Sequence, residues 1–144
     1  MAGRSKDKLA SVRDAIGAPA DLPLLSADAG DPASLNDMLA LKRAVTDVRI
    51  SDELKRYIVD LCAATRGRPG VQLGASPRAS ISLMKTAQAE ALFDGLDFVA
   101  PEQIQKLAVP VIAHRLVLEP QARFSGLTAR GVVEEIVRKL PVPA

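Results

Sequence analysis

The sequence predicts an all-α protein, a small helical bundle, and three observations carry that reading. Aromatic residues make up 3% of the chain, with no tryptophan, so a core has to be assembled from Leu, Ile, Val, Ala and Met. Apolar residues recur at helical spacing in several segments, each bounded by a capping residue on one side and glycine or proline on the other. Alternating β-branched runs are scarce. With 144 residues the chain fits one ordinary domain, long enough to bury roughly 68–70% of its unfolded surface.

The elements follow in order. Ser5 to Ile16 carries Leu9, Val12 and Ile16 on one face and stops at Gly17. Ala18 to Pro32 is rich in Pro, Ala and Asp and reads as an irregular connector, because proline denies helix. These readings set residues 1–33 apart as an N-terminal segment and linker, and 34–144 as the compact helical domain. Ser34 with Asp37 resembles a capping box, and Leu35, Met38, Leu41 and Val45 form the stripe of the helix it opens. Val48–Ile50 is a short extended step. Ser51 then begins a second helix, with Asp52 and Glu53 in its first turn, where negative charge meets the positive end of the dipole. Leu54, Tyr57, Ile58, Leu61 and Thr65 line its inner face until Gly67 and Pro69 end it.

Ser76-Pro77 is a strong start signal, a capping side chain followed by proline at the first helical position. That helix should reach about Asp94, turn inward Leu83, Met84, Ala87 and Ala91, and stop at Gly95. Pro101 opens another helix with Glu102 in its first turn; Pro110 predicts a kink or a break near Leu107. Thr128 caps the last helix, whose apolar face is Val132, Val133, Ile136, Val137 and Leu140, and Pro141 ends it. Arg115–Glu119 alternates and reads as a short strand. Whether Val48–Ile50 pairs with it as a two-stranded ribbon is left open by the sequence.

Composition narrows function mainly by exclusion. One cysteine, Cys62, rules out an intramolecular disulfide, and one histidine, His114, argues against zinc, so no metal site is expected. No apolar run reaches membrane-spanning length and the N-terminus is too polar for a signal peptide, so a soluble cytoplasmic protein is expected. A net charge of +2, without basic clusters interleaved by aromatics, makes nucleic-acid binding a weak reading. The glycine-rich stretch Gly67–Gly74 lacks the lysine and hydroxyl of a phosphate-cradling P-loop, so this chain alone is expected to hold no catalytic residues for nucleotide hydrolysis. Cys62 and His114 as nucleophile and base are disfavoured: Cys62 sits among helical apolar neighbours, and His114 stands at a helix end.

One element combines a fixed charge with a helix start. Gly74-Ala75-Ser76-Pro77-Arg78-Ala79 puts Arg78 in a first turn, beside backbone N–H groups that lack helical partners. Its alternative is a well-capped helix with a solvated arginine. A charge-assisted hydrogen bond nets about 1.5–3 kcal/mol and a helix terminus about 0.3–1. Together these reach roughly millimolar affinity at best, so Arg78 needs a partner surface.

The stretch from Ala63 to Leu92, AATRGRPGVQLGASPRASISLMKTAQAEAL, resembles the C-terminal lid of MoxR-type AAA+ ATPases. Its flanks do too: Tyr57-Ile58-Val59, GLDFVAPEQI from Gly95 to Ile104, and VPVIAHRL from Val109 to Leu116. The likeness runs from about Leu35 to Pro143. It implies a small helical lid that packs over ATP and Mg held by a separate P-loop core. By motif position Arg78 would be the sensor-2 arginine that reaches the γ-phosphate, with Ser76 and Pro77 setting its helix start. Arg66 matches the arginine of the family's A-T-R element and is read as structuring the lid. The resemblance further implies ATP hydrolysis by a chaperone-like ring, with neighbouring subunits and von Willebrand A domain proteins as partners. Residues 1–33 would then be the tail of the core or an appended remnant. Three positions depart from the family pattern: Leu96 replaces an arginine, Ala100 a capping threonine, and Gln103 an acid. The alternative from another class is a stand-alone helical adaptor that kept the fold and lost nucleotide chemistry.

Overall fold

The computed structural model describes residues 32–143. The helix expected over Ser5–Ile16 and the connector up to Asp31 lie outside the described residues, as do the side chains of Ser34 and Leu35. Two units divide at Asp47/Val48. In the first, the described part is helix α1, Pro32–Asp47. It starts two residues before the expected cap, because proline already holds the φ that a first helical turn needs.

The second unit contains α2 (Asp52–Ala64), β1 (Val71–Leu73), α3 (Pro77–Phe93), α4 (Pro101–Ile112), a 3-10 turn (Ala113–Arg115), β2 (Val117–Leu118), α5 (Pro120–Phe124) and α6 (Ala129–Lys139). Its core is aliphatic. Ile58, Leu61, Leu83, Ile104, Ile112, Val132 and Val133 are the largest fully buried side chains, whereas Phe93, Phe98 and Phe124 are all exposed. Tyr57 is the buried aromatic, and its hydroxyl accepts a bond from Gln105 Nε2 at 3.4 Å. Alanine sets the closest approach: Ala79, Ala87 and Ala91 on α3 are wholly buried, and α3 packs most extensively against α4 and then α2.

Local signals explain most boundaries. Ser51 Oγ accepts from the Leu54 N–H at 3.2 Å, and Thr128 Oγ1 accepts from the Gly131 N–H at 3.1 Å. At the end of α3, Gly95 adopts φ 73°. Its N–H bonds the Leu92 carbonyl and that of Leu96 bonds Ala91, a paired closure that satisfies two orphan carbonyls. Leu96 packs its side chain on the core there, which gives the arginine-to-leucine departure a structural use.

Of the kink or break expected at Pro110, the break does not occur: α4 continues to Ile112 with Pro110 inside it. The ring removes one N–H near the helix end, while Ile104, Ala108 and Ile112 bury one continuous face, and that burial outweighs the missing bond. The short ribbon forms, and the pairing that the sequence left open is settled in favour of the glycine-rich stretch. β2 pairs antiparallel with Val71–Leu73, in the glycine-rich stretch, with Val71 opposite Leu118 and Leu73 opposite Val117. Val48–Ile50 turns elsewhere: Arg49 bridges Phe98 through backbone bonds to Asp97 and Val99. α5 was not anticipated at all.

Candidate functional site

The site is the junction between the end of α2 and the start of α3. Thr65, wholly buried, donates its hydroxyl to the Cys62 carbonyl at 2.6 Å and accepts the Ala75 N–H at 2.8 Å. Arg66 Nε donates to the Ala75 carbonyl at 3.0 Å. Both backbone polar groups of Ala75, its N–H and its carbonyl, are therefore held by consecutive residues. Gly74 makes the clamp possible, since a Cβ there would lie 2.7 Å from the Arg66 Cα. Ala75 is itself fully buried. The Ser76-Pro77-Arg78 turn thus leaves the core at a fixed point.

Ser76 occupies the N-cap with extended dihedrals (φ −79°, ψ 164°), yet its side chain makes no capping bond. Pro77 follows at the first helical position, and the Ala79 N–H turns back to the Ser76 carbonyl at 2.8 Å. Ser76, Pro77 and Arg78 are all exposed. Among the described residues the Arg78 guanidinium makes no hydrogen bond or ion pair. A cation so placed faces the positive end of its own helix, an arrangement that favours an incoming anion.

Neighbouring cations are spent. Arg68, from the glycine-rich stretch, pairs with Glu135 of α6, and Lys139 reaches the same carboxylate at 2.7 Å. Lys139 and Arg68 together hold the Glu135 carboxyl down to about 2. Arg66 is committed through Nε to Ala75. So the arginines that cluster in sequence are divided in space: two build the fold and Arg78 is left open.

Cys62 and His114 do not form a reactive pair. Burial pushes the Cys62 thiol up, although its bond with Ser80 and the charges of Arg66 and Arg115 act the other way. His114 is exposed, and its Nδ1 donates to the Pro110 carbonyl at 3.0 Å, satisfying a carbonyl in the last turn of α4. Arg115 Nε does the same for Val111 at 3.0 Å.

At the start of α4 the two remaining departures compensate each other. Ala100 offers no capping oxygen, but Gln103 Oε1 accepts the Ala100 N–H at 2.8 Å and Gln103 Nε2 donates to Asp94 at 2.9 Å. An acid could make the first bond and not the second.

Sequence reasoning singled out Arg78, Ser76 and Pro77 as candidates but not the clamp, because no local rule ties Thr65 to Ala75. The two surface depressions that stand out are an open one of about 490 Å³ beside Pro69, Gly70 and Leu127, and a smaller one beside Arg68 and Lys139. Neither is lined by Arg78.

The fold around this junction is a small helical unit with one short antiparallel ribbon. Residues 63–136 match the AAA lid domain, and the chain belongs to that family. Within it, this is the lid domain of a MoxR-type AAA+ ATPase. The chain is 48% identical over 107 residues to the uncharacterized protein YeaC of Bacillus subtilis, covering 74% of this chain and 33% of that one. It is 29% identical over 119 residues to Chaperone MoxR1 of Mycobacterium tuberculosis, covering 76% and 32%. A crystal structure from Cytophaga hutchinsonii, assigned as an ATPase, superposes with a TM-score of 0.71 at 33% identity, over 76% of this chain and 36% of that one. The chain therefore spans about a third of the length of the relatives it matches. No described helix is long and apolar enough to cross a membrane.

Proposed function

We propose that this lid closes over ATP and Mg held by a P-loop core, and that Arg78 is its sensor-2 arginine, meeting the γ-phosphate as hydrolysis proceeds. Residues 34–144 are the lid in this reading and residues 1–33 the segment leading into it. The observation that carries it is the combination at α3: an exposed guanidinium, unpartnered among the described residues, at the positive end of a helix whose start is clamped to the core through Ala75. Such a cation stabilises charge without reorganising, which is how fixed donors accelerate phosphoryl transfer. The bound nucleotide would supply the phosphoanhydride; this chain's part is to aim one charge and exclude water.

Lid rotation on nucleotide loss would be passed to the next subunit of a ring, a rigid-body switch. A cytoplasmic chaperone-like ATPase acting on partners with von Willebrand A domains is the setting the family likeness supports. The test is steady-state hydrolysis by the full-length ATPase that carries this lid. Arg78→Ala should lower kcat by about 10²-fold or more, given that arginine fingers are worth about 10³–10⁵. Unchanged turnover with an intact fold would end the sensor reading, and indifference of the lid to ATP would then favour the adaptor.

A further inference from the structure

Arg115 leaves the 3-10 turn after α4 half-buried, and no carboxylate pairs with it among the described residues. Its guanidinium is nevertheless fixed at two points. Nε donates to the Val111 carbonyl at 3.0 Å, and Nη2 donates to Ser82 Oγ at 3.3 Å. The Ser82 hydroxyl in turn donates to the Arg78 carbonyl at 3.0 Å. Guanidinium, hydroxyl and peptide carbonyl form one directed chain, and it ends on the backbone of Arg78.

The direction matters. A serine hydroxyl inside a helix rotates freely between its i−4 carbonyl and solvent, and its back-bond alone is weak. With a guanidinium donor on its oxygen, the Ser82 hydrogen is turned toward the Arg78 carbonyl, and the charge at the head of the chain strengthens the bond at its tail. The same carbonyl belongs to a first turn that Ser76 leaves uncapped. The front of that turn is fixed by the Thr65–Arg66 clamp on Ala75; its back is fixed from the 3-10 turn that follows α4.

We propose that Arg115, acting through Ser82, is a positioning residue for Arg78: it sets the first turn of α3 and thereby the aim of the Arg78 guanidinium. The proposal rests on the sensor reading of Arg78. A purely structural Arg115 would only close the end of α4, and would matter equally with or without Arg78.

Steady-state ATP hydrolysis and thermal melting of the full-length ATPase separate these cases, using Arg78→Ala, Ser82→Ala, Arg115→Gln and the two double variants with Arg78→Ala. Ser82→Ala and Arg115→Gln should each lower kcat on the order of tenfold, the worth of one charge-assisted bond, with the KM for ATP within about twofold. Neither should cause further loss once Arg78 is alanine. Equal losses in the presence and absence of Arg78, or a lower melting temperature with kcat unchanged, would overturn the proposal. Ser82→Ala keeps the test open if Arg115→Gln unfolds, because it removes one hydroxyl and no packing. If Arg78→Ala by itself leaves turnover unchanged, the sensor reading fails first and this proposal with it; that outcome is visible without any Arg115 variant.

Discussion

Two helices of this lid begin in nearly the same way. α3 opens Ser76-Pro77-Arg78-Ala79 and α6 opens Thr128-Ala129-Arg130-Gly131, each with a hydroxyl at the cap and an arginine at the second helical position. They resolve that start differently. At α6 the Thr128 hydroxyl bonds the Gly131 N–H, and Arg130 lies 3.4 Å from Glu134 one turn on. At α3 the Ser76 hydroxyl caps nothing, and among the described residues Arg78 has no acid. An arginine at the positive end of a helix costs about 0.3–1 kcal/mol unless something offsets it. α6 offsets it internally. α3 leaves the cost standing, which is what a site awaiting an anion from another surface requires.

The largest break in this comparison should come from the arginines themselves. Arg78→Ala in the full-length ATPase should cost about 10²-fold or more in turnover, whereas Arg130→Ala should leave kcat close to wild type. A comparable loss from Arg130 would remove the distinction. Next comes the clamp. Thr65→Val strips the Ala75 N–H of its buried acceptor and should destabilise the chain by about 1–3 kcal/mol in urea unfolding. Gly74→Ala should cost a similar amount, about 1–3 kcal/mol, by driving a methyl into the Arg66 backbone.

Smaller effects sharpen the contrast between the caps. Thr128→Ala should cost about 1 kcal/mol, and Ser76→Ala only a few tenths, since one hydroxyl is bonded and the other is not. Equal costs would mean that Ser76 caps in solution. The smallest effect concerns acid. Glu135 sits at about 2 in the fold against an ordinary value of 4.5, so its stabilising contribution is complete above about 4.5 and disappears as pH falls toward 2. Glu135→Gln should flatten the stability profile across that window, and a profile unchanged by the substitution would show that its pairs with Arg68 and Lys139 are unformed.

What the sequence disclosed divides along physical lines. The starts of α2, α3, α4 and α6 were legible because caps and first-turn prolines act within three residues of where they stand. The aliphatic core followed from the missing aromatics. The alternation of Arg115–Glu119 marked β2, but its partner was not legible, since pairing Val71–Leu73 with Val117–Leu118 is settled by tertiary packing and three residues in a glycine-rich stretch show no period. α5 escaped for the same reason: five residues display no helical repeat. Pro110 left kink and break open because the rule against proline is local, while the burial of Ile104, Ala108 and Ile112 that goes with an unbroken helix is not. At the site, the motif around Arg78 could be read from its letters and the family likeness. The hold that Thr65 and Arg66 exert on Ala75 could not, because it joins residues that only the fold brings together.

The alanines of α3 carry one more consequence. Ala79, Ala87 and Ala91 are sealed against neighbouring helices, and alanine has no rotamers with which to absorb a shift. A seam of that kind behaves as a lever and not as a cushion. At those three positions a displacement of α3 meets no side chain that can swivel to absorb it, and it is passed on to the helices packed against them.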